Sequence, residues 1–263
     1  MKIILWIGNE PNQKALANKI HSLFPLAGII TETRLYKQKI TLSKLLERLF
    51  FPTIGKAWWK MVQHYSTAHS NYPKANTLDV ESINSDDAYE FSKNIDADLI
   101  VVSGTSLIKQ KMLSLKPSVG ILNLHTGLSP YVKGGPNCTN WCIANGKFHL
   151  IGNTIMWIDA GIDSGNIVTT EFTELTGDEN LEQLHLKVME HAHDLYLRAI
   201  NSVSEGKTSS VQQTSIAEGN TYYNKDWTFD KKRALVFNIK KLSAVVKTGE
   251  LIKNRENLKV IKL

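Results

Sequence analysis

Three side chains that could assist an acyl transfer stand at two places in the sequence. Asn123 and His125 are separated by one residue, so both side chains point to the same face if this stretch is a strand. Further along the chain, a glycine-rich loop carries two carboxylates, Asp159 and Asp163, either of which could orient or charge the histidine. An amide that donates to a developing oxyanion and an imidazole that moves a proton suit direct transfer of an acyl group from a carrier to an amine.

The elements that would position these groups follow a βαβ pattern. Residues 3–7, 99–102 and 120–124 are short apolar runs typical of strands, and a helical pattern over 15–23 leads to a further strand at 27–30. This order predicts an α/β fold, a Rossmann-like parallel sheet covered by helices, with ligands at the carboxyl ends of the strands. Because no GxGxxG motif is present, we do not expect a dinucleotide.

Two further segments flank this core. Residues 36–72 show helical spacing and are predicted to form a helical insertion, in which Trp58 and Trp59 pack into the core. Near the carboxyl end, apolar residues spaced over 235–246 indicate an amphipathic helix that docks or dimerises, and residues 258–261 could form a strand.

Composition indicates an ordinary globular protein: 263 residues, 42% of them hydrophobic, are enough to bury a full core. The apolar run at the amino terminus is too short for a signal peptide or a membrane span, so we expect the cytoplasm and no membrane partner. Residues 225–263 hold eleven Lys or Arg against four Asp or Glu, a net charge of +7. Such a tail suits a phosphate-bearing substrate, a protein partner or nucleic acid, or is simply a solvated face.

Metal binding is not expected. Cys138 and Cys142 lack a second pair to complete a tetrahedral site and are predicted to be reduced structural thiols. His185, His191 and His193 lie in a helical stretch where positions two residues apart point to nearly opposite sides, so they do not share one metal.

The runs NLHTGLSPYVKGGPN, residues 123–137, and GNTIMWIDAGIDSGNIV, residues 152–168, resemble the folate-dependent formyltransferases. This family includes glycinamide ribonucleotide, methionyl-tRNA and sugar-nucleotide N-formyltransferases. The resemblance covers residues 1–205, so a catalytic domain is predicted there and a small basic appendage at 206–263. It differs after the histidine, where Thr126 to Pro130 replaces the family's usual turn, and it suggests that the Ser129–Pro130 bond is cis.

The resemblance implies a role for each part of the site. Asn123, His125 and Asp163 would be the catalytic residues, and the co-substrate would be 10-formyltetrahydrofolate. The residues expected to bind it are Ser103, Gly104, Thr105, Ser106, Leu107 and Ile108, together with Asp159, Ala160, Gly161 and Ile162. The residues expected to bind the formyl acceptor are Gly8 and Asn9, which match the family's first loop. Tyr222, Tyr223, Lys225 and Trp227 are added from their own polar-aromatic pattern, which suits stacking on a nucleobase and contact with phosphate or, alternatively, anchoring of the tail to the body.

The acceptor is predicted to be a primary amine, carried by an amino sugar linked to a nucleotide. Only 58 residues follow Glu205 here, fewer than the barrel of the tRNA enzymes, so nucleic acid is not the expected substrate. Methionyl-tRNA or another small amine remains an alternative, as do hydrolysis of formyltetrahydrofolate and a silent scaffold of the same fold. The sequence does not identify the amine, its nucleotide or the oligomeric state.

Overall fold

A seven-stranded sheet forms the centre of the protein, whose structure, a computed structural model, describes residues 1–34 and 49–263. In chain order the strands are β1 (Ile3–Gly8), β2 (Leu26–Glu32), β3 (Thr77–Val80), β4 (Leu99–Ser103), β5 (Gly120–His125), β6 (Val132–Gly134), β7 (Gly152–Trp157), β8 (Ile167–Phe172) and β9 (Asn220–Tyr222). The central sheet has the order β3-β2-β1-β4-β5-β7-β8, and β6 pairs with β9 in a small second sheet.

The predicted α/β fold is confirmed, with one correction to the sheet. Strands β3, β2, β1, β4 and β5 are parallel, as the βαβ pattern predicts. Strands β7 and β8 run antiparallel to their neighbours. The sheet is therefore mixed, because the connection from β7 to β8 is a short loop that brings the chain back beside itself rather than a helical crossover.

Helices cover both faces of the sheet. Their bounds are α1 (Pro11–Leu23), α2 (Pro52–Ala68), α3 (Asp86–Ile95), α4 (Gln110–Leu113), α5 (Cys138–Ala144), α6 (Leu181–Ser204), α7 (Phe229–Asn238), α8 (Leu242–Lys247) and α9 (Glu250–Arg255). Alternate residues of β1 face opposite sides: Ile3, Leu5 and Ile7 pack with α1 and α6, whereas Ile4 and Trp6 pack with α3 and α4. This explains the uninterrupted apolar run, since a strand buried on both faces needs no polar alternation.

Part of the predicted insertion, residues 36–48, lies outside the described residues. Its second half is α2, which begins at Pro52 and buries Ala57, Met61 and Tyr65. Trp58 and Trp59 are 46% and 57% exposed, so the expectation that they pack into the core is wrong. The inner stripe repeats every four residues, and both tryptophans fall on the outer side of that stripe.

The carboxyl-terminal segment is continuous with the body rather than set apart from it. The predicted helix over 235–246 is instead α7, a single 3-10 turn and α8, which bury Leu235 and Leu242. Residues 258–261 form no regular strand, although Ile261 accepts a hydrogen bond from the Thr170 amide of β8 at 2.8 Å. Within residues 1–34 and 49–263, no helix is long and apolar enough to cross a membrane.

Candidate active site

The carboxyl end of β5 carries the first two site residues. Asn123 and His125 are two positions apart in this strand, which lies between parallel β4 and antiparallel β7, so their side chains leave the same face of the sheet. Asn123 is half-buried and lines a cavity of about 420 Å³. Its side-chain amide makes no hydrogen bond within the described part of the chain and is therefore available to a ligand.

His125 lies behind the cavity wall, 8% exposed, and both ring nitrogens face protein atoms. Nδ1 is 3.4 Å from the Asp163 carboxylate, and Nε2 is 3.2 Å from the Val132 carbonyl oxygen. Burial alone would lower the pKa of His125, but the Asp163 charge, the Cys138 sulfur and the Val132 carbonyl together raise that pKa above 6.5. His125 and Asp163 therefore form an imidazolium–carboxylate pair near neutral pH.

Asp163 is held in an unusual backbone conformation. Its φ of +47° lies in the left-handed region, which a residue with a side chain adopts only when its surroundings favour it. The Gly134 amide donates to Asp163 Oδ2 at 2.9 Å, and the same oxygen faces His125. Asp163 also lines the cavity, so one carboxylate is shared between the histidine and the ligand space.

Cys138 and Cys142 lie one turn apart in α5 and are free, buried thiols. Cys138 Sγ is 3.6 Å from His125 Nε2 and also contacts the Gly134 carbonyl at 3.4 Å. Burial raises the pKa of both thiols, which are neutral at pH 7. Cys138 therefore packs beside the imidazole as a neutral thiol, whereas Cys142 donates to the Leu150 carbonyl at 3.6 Å.

Both predicted folate-binding loops reach the cavity. Thr105, Ser106, Leu107 and Ile108 follow β4 and form part of its wall. The loop after β7 contributes three further lining residues, Asp159, Gly161 and Ile162. Three residues predicted with them, Ser103, Gly104 and Ala160, do not line the cavity.

A buried carboxylate that the sequence analysis missed fixes the first of these loops. Glu32, at the end of β2, is 2% exposed and accepts hydrogen bonds from the Ser106 amide at 2.6 Å, the Ile83 amide at 2.9 Å and Arg34 Nε at 2.8 Å. Arg34 in turn donates to the Gly104 carbonyl at 2.9 Å. Burial raises the pKa of Glu32, but these donors outweigh burial and lower it. Glu32 could have been identified from its position, because it is a carboxylate at the carboxyl end of a strand in a parallel sheet, where ligand sites form.

Tyr196 of α6 holds the strands beneath the site and was also missed. Its side chain is fully buried. The hydroxyl accepts a hydrogen bond from the Val102 amide at 2.8 Å and donates one to the Leu122 carbonyl at 2.7 Å. This carbonyl belongs to the peptide that joins Leu122 to Asn123. Tyr196 thus bridges β4 and β5 directly below Asn123.

Two of the predicted acceptor-binding residues lie at the cavity. Tyr222 and Tyr223, together with Asn224, form one wall of it. Tyr222 stacks on the buried Trp141 ring with centroids 4.4 Å apart and an interplanar angle of 14°. Trp227 meets the same Trp141 ring edge-on at 4.8 Å and packs against the core around α5, away from the cavity lining.

The other predicted acceptor residues do not line the cavity. Lys225 lies with Nζ 5.7 Å from the centroid of the Tyr223 ring. Gly8 accepts a hydrogen bond from the Tyr72 hydroxyl at 2.8 Å, and Asn9 donates to the Thr33 hydroxyl at 2.8 Å. These three residues remain predictions without a contact to the cavity.

Among residues 1–34 and 49–263, no three His, Cys, Asp or Glu side chains form a cluster that could hold a metal ion. His185 Nε2 contacts Asn140 Oδ1 at 2.8 Å, and His191 Nε2 contacts Glu171 at 3.2 Å. Burial lowers the pKa of His185 to about 4 and that of His193 to about 3, so both are neutral at pH 7.

Sequence comparison places this site among known proteins. Residues 61–200 match the family model described as Formyl transferase. The methionyl-tRNA formyltransferase of Clostridium tetani is 32% identical over 127 residues, which are 48% of this chain and 40% of that enzyme. The chain therefore matches less than half the length of this curated relative.

Structure comparison extends over more of the chain, at low identity. A sugar N-formyltransferase from a Shewanella species has a TM-score of 0.59 and 13% identity, with 89% of this chain and 87% of that chain covered. An N-formyltransferase from Helicobacter canadensis, solved with folinic acid and dTDP-3-aminofucose, has a TM-score of 0.56 and 15% identity, with 91% and 81% covered. At these identities the comparison establishes the fold.

Proposed function

Because the chain belongs to the formyl transferase family, we propose that it transfers a formyl group from 10-formyltetrahydrofolate to the primary amine of a nucleotide-linked amino sugar. The observation that carries the proposal is the cavity that Asn123 and Asp163 line together, with His125 paired to Asp163 behind it. Its volume of about 420 Å³ falls within the range of sites that bind small molecules.

The proposed reaction forms one C–N bond and breaks another. The amine nitrogen attacks the formyl carbon, negative charge develops on the formyl oxygen, and the bond from that carbon to N10 of the folate then breaks. The proton that leaves the amine ends on N10, so the products are a formamide and tetrahydrofolate. Asn123, whose amide has no partner in the described structure, donates to the oxygen as its charge grows.

The paired residues manage the amine proton. An alkyl amine has a pKa of about 10, so most of it is protonated at pH 7 and must lose a proton to react. Asp163 lies at the cavity, accepts that proton directly or through water, and releases it to solvent before the attack; a second proton, lost by the nitrogen after the attack, passes by the same route to N10. His125, whose pKa is raised, donates to Asp163 and keeps this carboxylate in place.

The loops around the cavity fit the folate co-substrate. Leu107, Ile108 and Ile162 give an apolar wall for a flat ring system, while the surrounding backbone offers amide and carbonyl groups to its polar edge. Glu32 fixes the backbone of the loop at Ser106, so this side of the cavity is formed before a ligand arrives. No step of the proposed reaction requires a metal.

The acceptor assignment rests on the aromatic wall. Tyr222 and Tyr223 line the cavity beside the carboxylate that would take the proton. One face of Tyr222 stacks on Trp141, so the exposed ring of Tyr223 is the one on which a nucleobase would stack. Of two proteins with a similar fold, one is a sugar N-formyltransferase and the other was solved with a nucleotide-linked amino sugar. Each match covers about nine-tenths of this chain.

A second acceptor, methionyl-tRNA, is favoured by the sequence relatives, which are methionyl-tRNA formyltransferases. The basic tail, with its net charge of +7 over residues 225–263, would suit an RNA backbone as well as a diphosphate. The two acceptors differ in salt dependence, because neutralising several phosphates makes the affinity for RNA fall steeply with added salt.

The test is a formyl transfer assay with a panel of acceptors. Purified protein is mixed with 10-formyltetrahydrofolate and, in parallel, nucleotide-linked 3-amino and 4-amino sugars and methionyl-tRNA, and tetrahydrofolate release and product mass are followed. The proposal predicts one formyl group added to a sugar in the panel, and loss of this product in His125→Ala. Transfer to methionyl-tRNA alone would replace the acceptor, folate turnover without any amine would indicate a hydrolase, and no turnover would indicate a scaffold.

A further inference from the structure

We propose that Gln213 is a positioning residue that holds Asp163 in its working conformation. The inference rests on the proposed function, since it assigns a task to a residue that does not itself line the cavity. Gln213 lies beyond residues 61–200, the part of the chain that matches the family model. It belongs to a short 3-10 turn, Gln213–Ser215, in the segment that follows α6.

The Gln213 side chain binds both sides of the Asp163 turn. Its Nε2 donates to the Asp163 carbonyl at 2.7 Å and to the Gly165 carbonyl at 2.8 Å. An amide nitrogen carries two protons, and here each has its own acceptor. The distance between these two carbonyl groups is thereby fixed by a single side chain.

The side chain is buried around these two bonds, with its Nε2 also 3.8 Å from the Met156 sulfur. Gln213 is 4% exposed, and its Oε1 has no hydrogen-bond partner within the described residues. Burying an unpaired amide oxygen is unfavourable, so a residue that served only to fill space would be apolar. The orientation of the amide is also well defined, because the opposite orientation would place an oxygen against two carbonyl oxygens.

Gln213 is itself anchored to the central sheet. Two residues before it, Val211 forms a pair of hydrogen bonds with Ile167 at the start of β8, each 2.8 Å long. This bridge ties the segment to the strand that follows the Asp163 loop. The position of the Gln213 amide is therefore set by the sheet rather than by the exposed loop.

A second contact, made by β6 where it pairs with the same carboxyl-terminal segment, holds the carboxylate end of Asp163. Gly134 donates to Asp163 Oδ2, and β6, which contains Gly134, pairs with β9 through Tyr222. Gly134 has a φ of +85°, and a Cβ on it would lie 2.2 Å from the Tyr222 carbonyl oxygen. Residues 211–222 thus support Asp163 at its backbone through Gln213 and at its side chain through β6.

These contacts predict what happens without the Gln213 donor. The Asp163 backbone, held at φ +47°, is free to relax, and the carboxylate moves away from His125 Nδ1. A displacement of about 1 Å in a catalytic group costs on the order of 10²-fold in rate. The groups facing the His125 ring nitrogens are the Asp163 carboxylate, the Val132 carbonyl and the neutral thiol of Cys138, so loss of the first leaves the imidazole without an anionic partner.

The experiment compares two variants with a matched control. Gln213→Met keeps the length of the side chain and removes the donor, and Gln213→Glu keeps its shape and replaces the donor with an acceptor. Gln212→Met changes the exposed neighbour in the same turn. Thermal melting and circular dichroism first identify which variants are folded, and the second Gln213 variant is used if the first is not.

Two readouts are measured on the folded variants. We expect kcat to fall about 10²-fold with KM for both substrates changed less than about threefold, and the pKa of His125, followed by NMR, to fall from its raised value. Gln212→Met should match the wild type in both. A kcat within about twofold of wild type, or an unchanged His125 pKa in a folded Gln213 variant, overturns the proposal.

The NMR titration separates this inference from the proposed function. If the wild-type protein formylates no amine, the proposed function fails, yet the pKa of His125 still reports whether Gln213 keeps Asp163 beside it. If the wild type is active and Gln213→Met retains both its kcat and the raised pKa of His125, the positioning role alone is wrong.

Discussion

Replacing Tyr196 with phenylalanine removes one oxygen atom from the interior and little else. The hydroxyl is the acceptor for the Val102 amide and the donor to the Leu122 carbonyl, and the ring is fully buried in the core below the site. Phenylalanine keeps the ring and its packing. It leaves the Val102 amide and the Leu122 carbonyl without this partner, and the Val102 carbonyl loses a 3.1 Å contact with the same hydroxyl. At about 1–3 kcal/mol for each of the first two groups, the free energy of unfolding should fall by about 2–6 kcal/mol.

The assay is equilibrium unfolding in urea, with the transition followed by circular dichroism and by tryptophan fluorescence. Because phenylalanine does not alter the surface exposed on unfolding, the midpoint should shift while the slope stays constant. Tyr65→Phe is the control: Tyr65 is also buried, but its hydroxyl donates to Glu190, a partly exposed carboxylate that can bind water instead. The control should lose no more than about 1.5 kcal/mol.

Activity should follow the same perturbation. The Leu122 carbonyl belongs to the peptide that precedes Asn123, so a shift between β4 and β5 moves the oxyanion donor. We expect kcat to fall at least about tenfold in Tyr196→Phe, with KM little changed. A loss of stability no larger than that of Tyr65→Phe, together with an unchanged kcat, would refute the bridging role of this hydroxyl.

Three other perturbations test separate contacts. Asp163→Asn should lower the pKa of His125 below its raised value in an NMR titration, because the charge that opposes burial most strongly is then absent; an unchanged pKa contradicts the pairing. Glu32→Gln should raise KM for the folate, because Ser106 loses its carboxylate partner, and should lower the free energy of unfolding at pH 7. Since the pKa of Glu32 is lowered on folding, the carboxylate stabilises the wild type above about pH 4.5, and this stabilisation is lost at lower pH. If urea unfolding at pH 7 and at pH 3 gives the same difference between the two proteins, this role is wrong. Arg255→Met should lower the free energy of unfolding in urea by about 1–3 kcal/mol, because three backbone carbonyls lose the guanidinium that donates to them. The tail should then be cleaved faster by a protease, and a cleavage rate equal to that of the wild type would contradict this role.

Local patterns predicted the central elements well because burial governs them. The apolar run at the start of the chain is β1, and alternate residues of it pack on the two faces of the sheet. The spacing of Asn123 and His125 placed both at the end of β5, since two-residue periodicity is a property of the strand itself. The resemblance to the formyltransferases supplied the partner carboxylate, which spacing alone did not identify.

Contacts between segments that are distant in the chain could not be predicted from the sequence. Glu32 meets Ser106, and Gln213 meets Asp163, across long stretches of chain. Neither pair has a local signature, because the fold brings the two partners together. Tyr196 was hidden for a further reason: an aromatic residue on the inner stripe of a helix is expected in a core, and the pattern does not show where its hydroxyl is directed.

The errors have physical causes of the same kind. Trp58 and Trp59 were assigned to the core by size, but the phase of α2 places them outside. A strand pattern does not reveal the direction of the strand, so the predicted parallel sheet did not anticipate the antiparallel β7 and β8. The single helix predicted over 235–246 is divided by a 3-10 turn that keeps its apolar residues facing the body.

The most direct test of the active-site account is the formyl transfer rate of Asn123→Ala relative to wild type, with 10-formyltetrahydrofolate and the acceptor identified in the panel. Asn123 is a cavity-lining amide whose side chain has no hydrogen-bond partner in the described structure, so its role depends on the charge that develops during the reaction. We predict that kcat falls by about 10²–10³-fold while KM for both substrates stays nearly constant. A kcat equal to that of the wild type would contradict the assignment of this cavity as the site of formyl transfer.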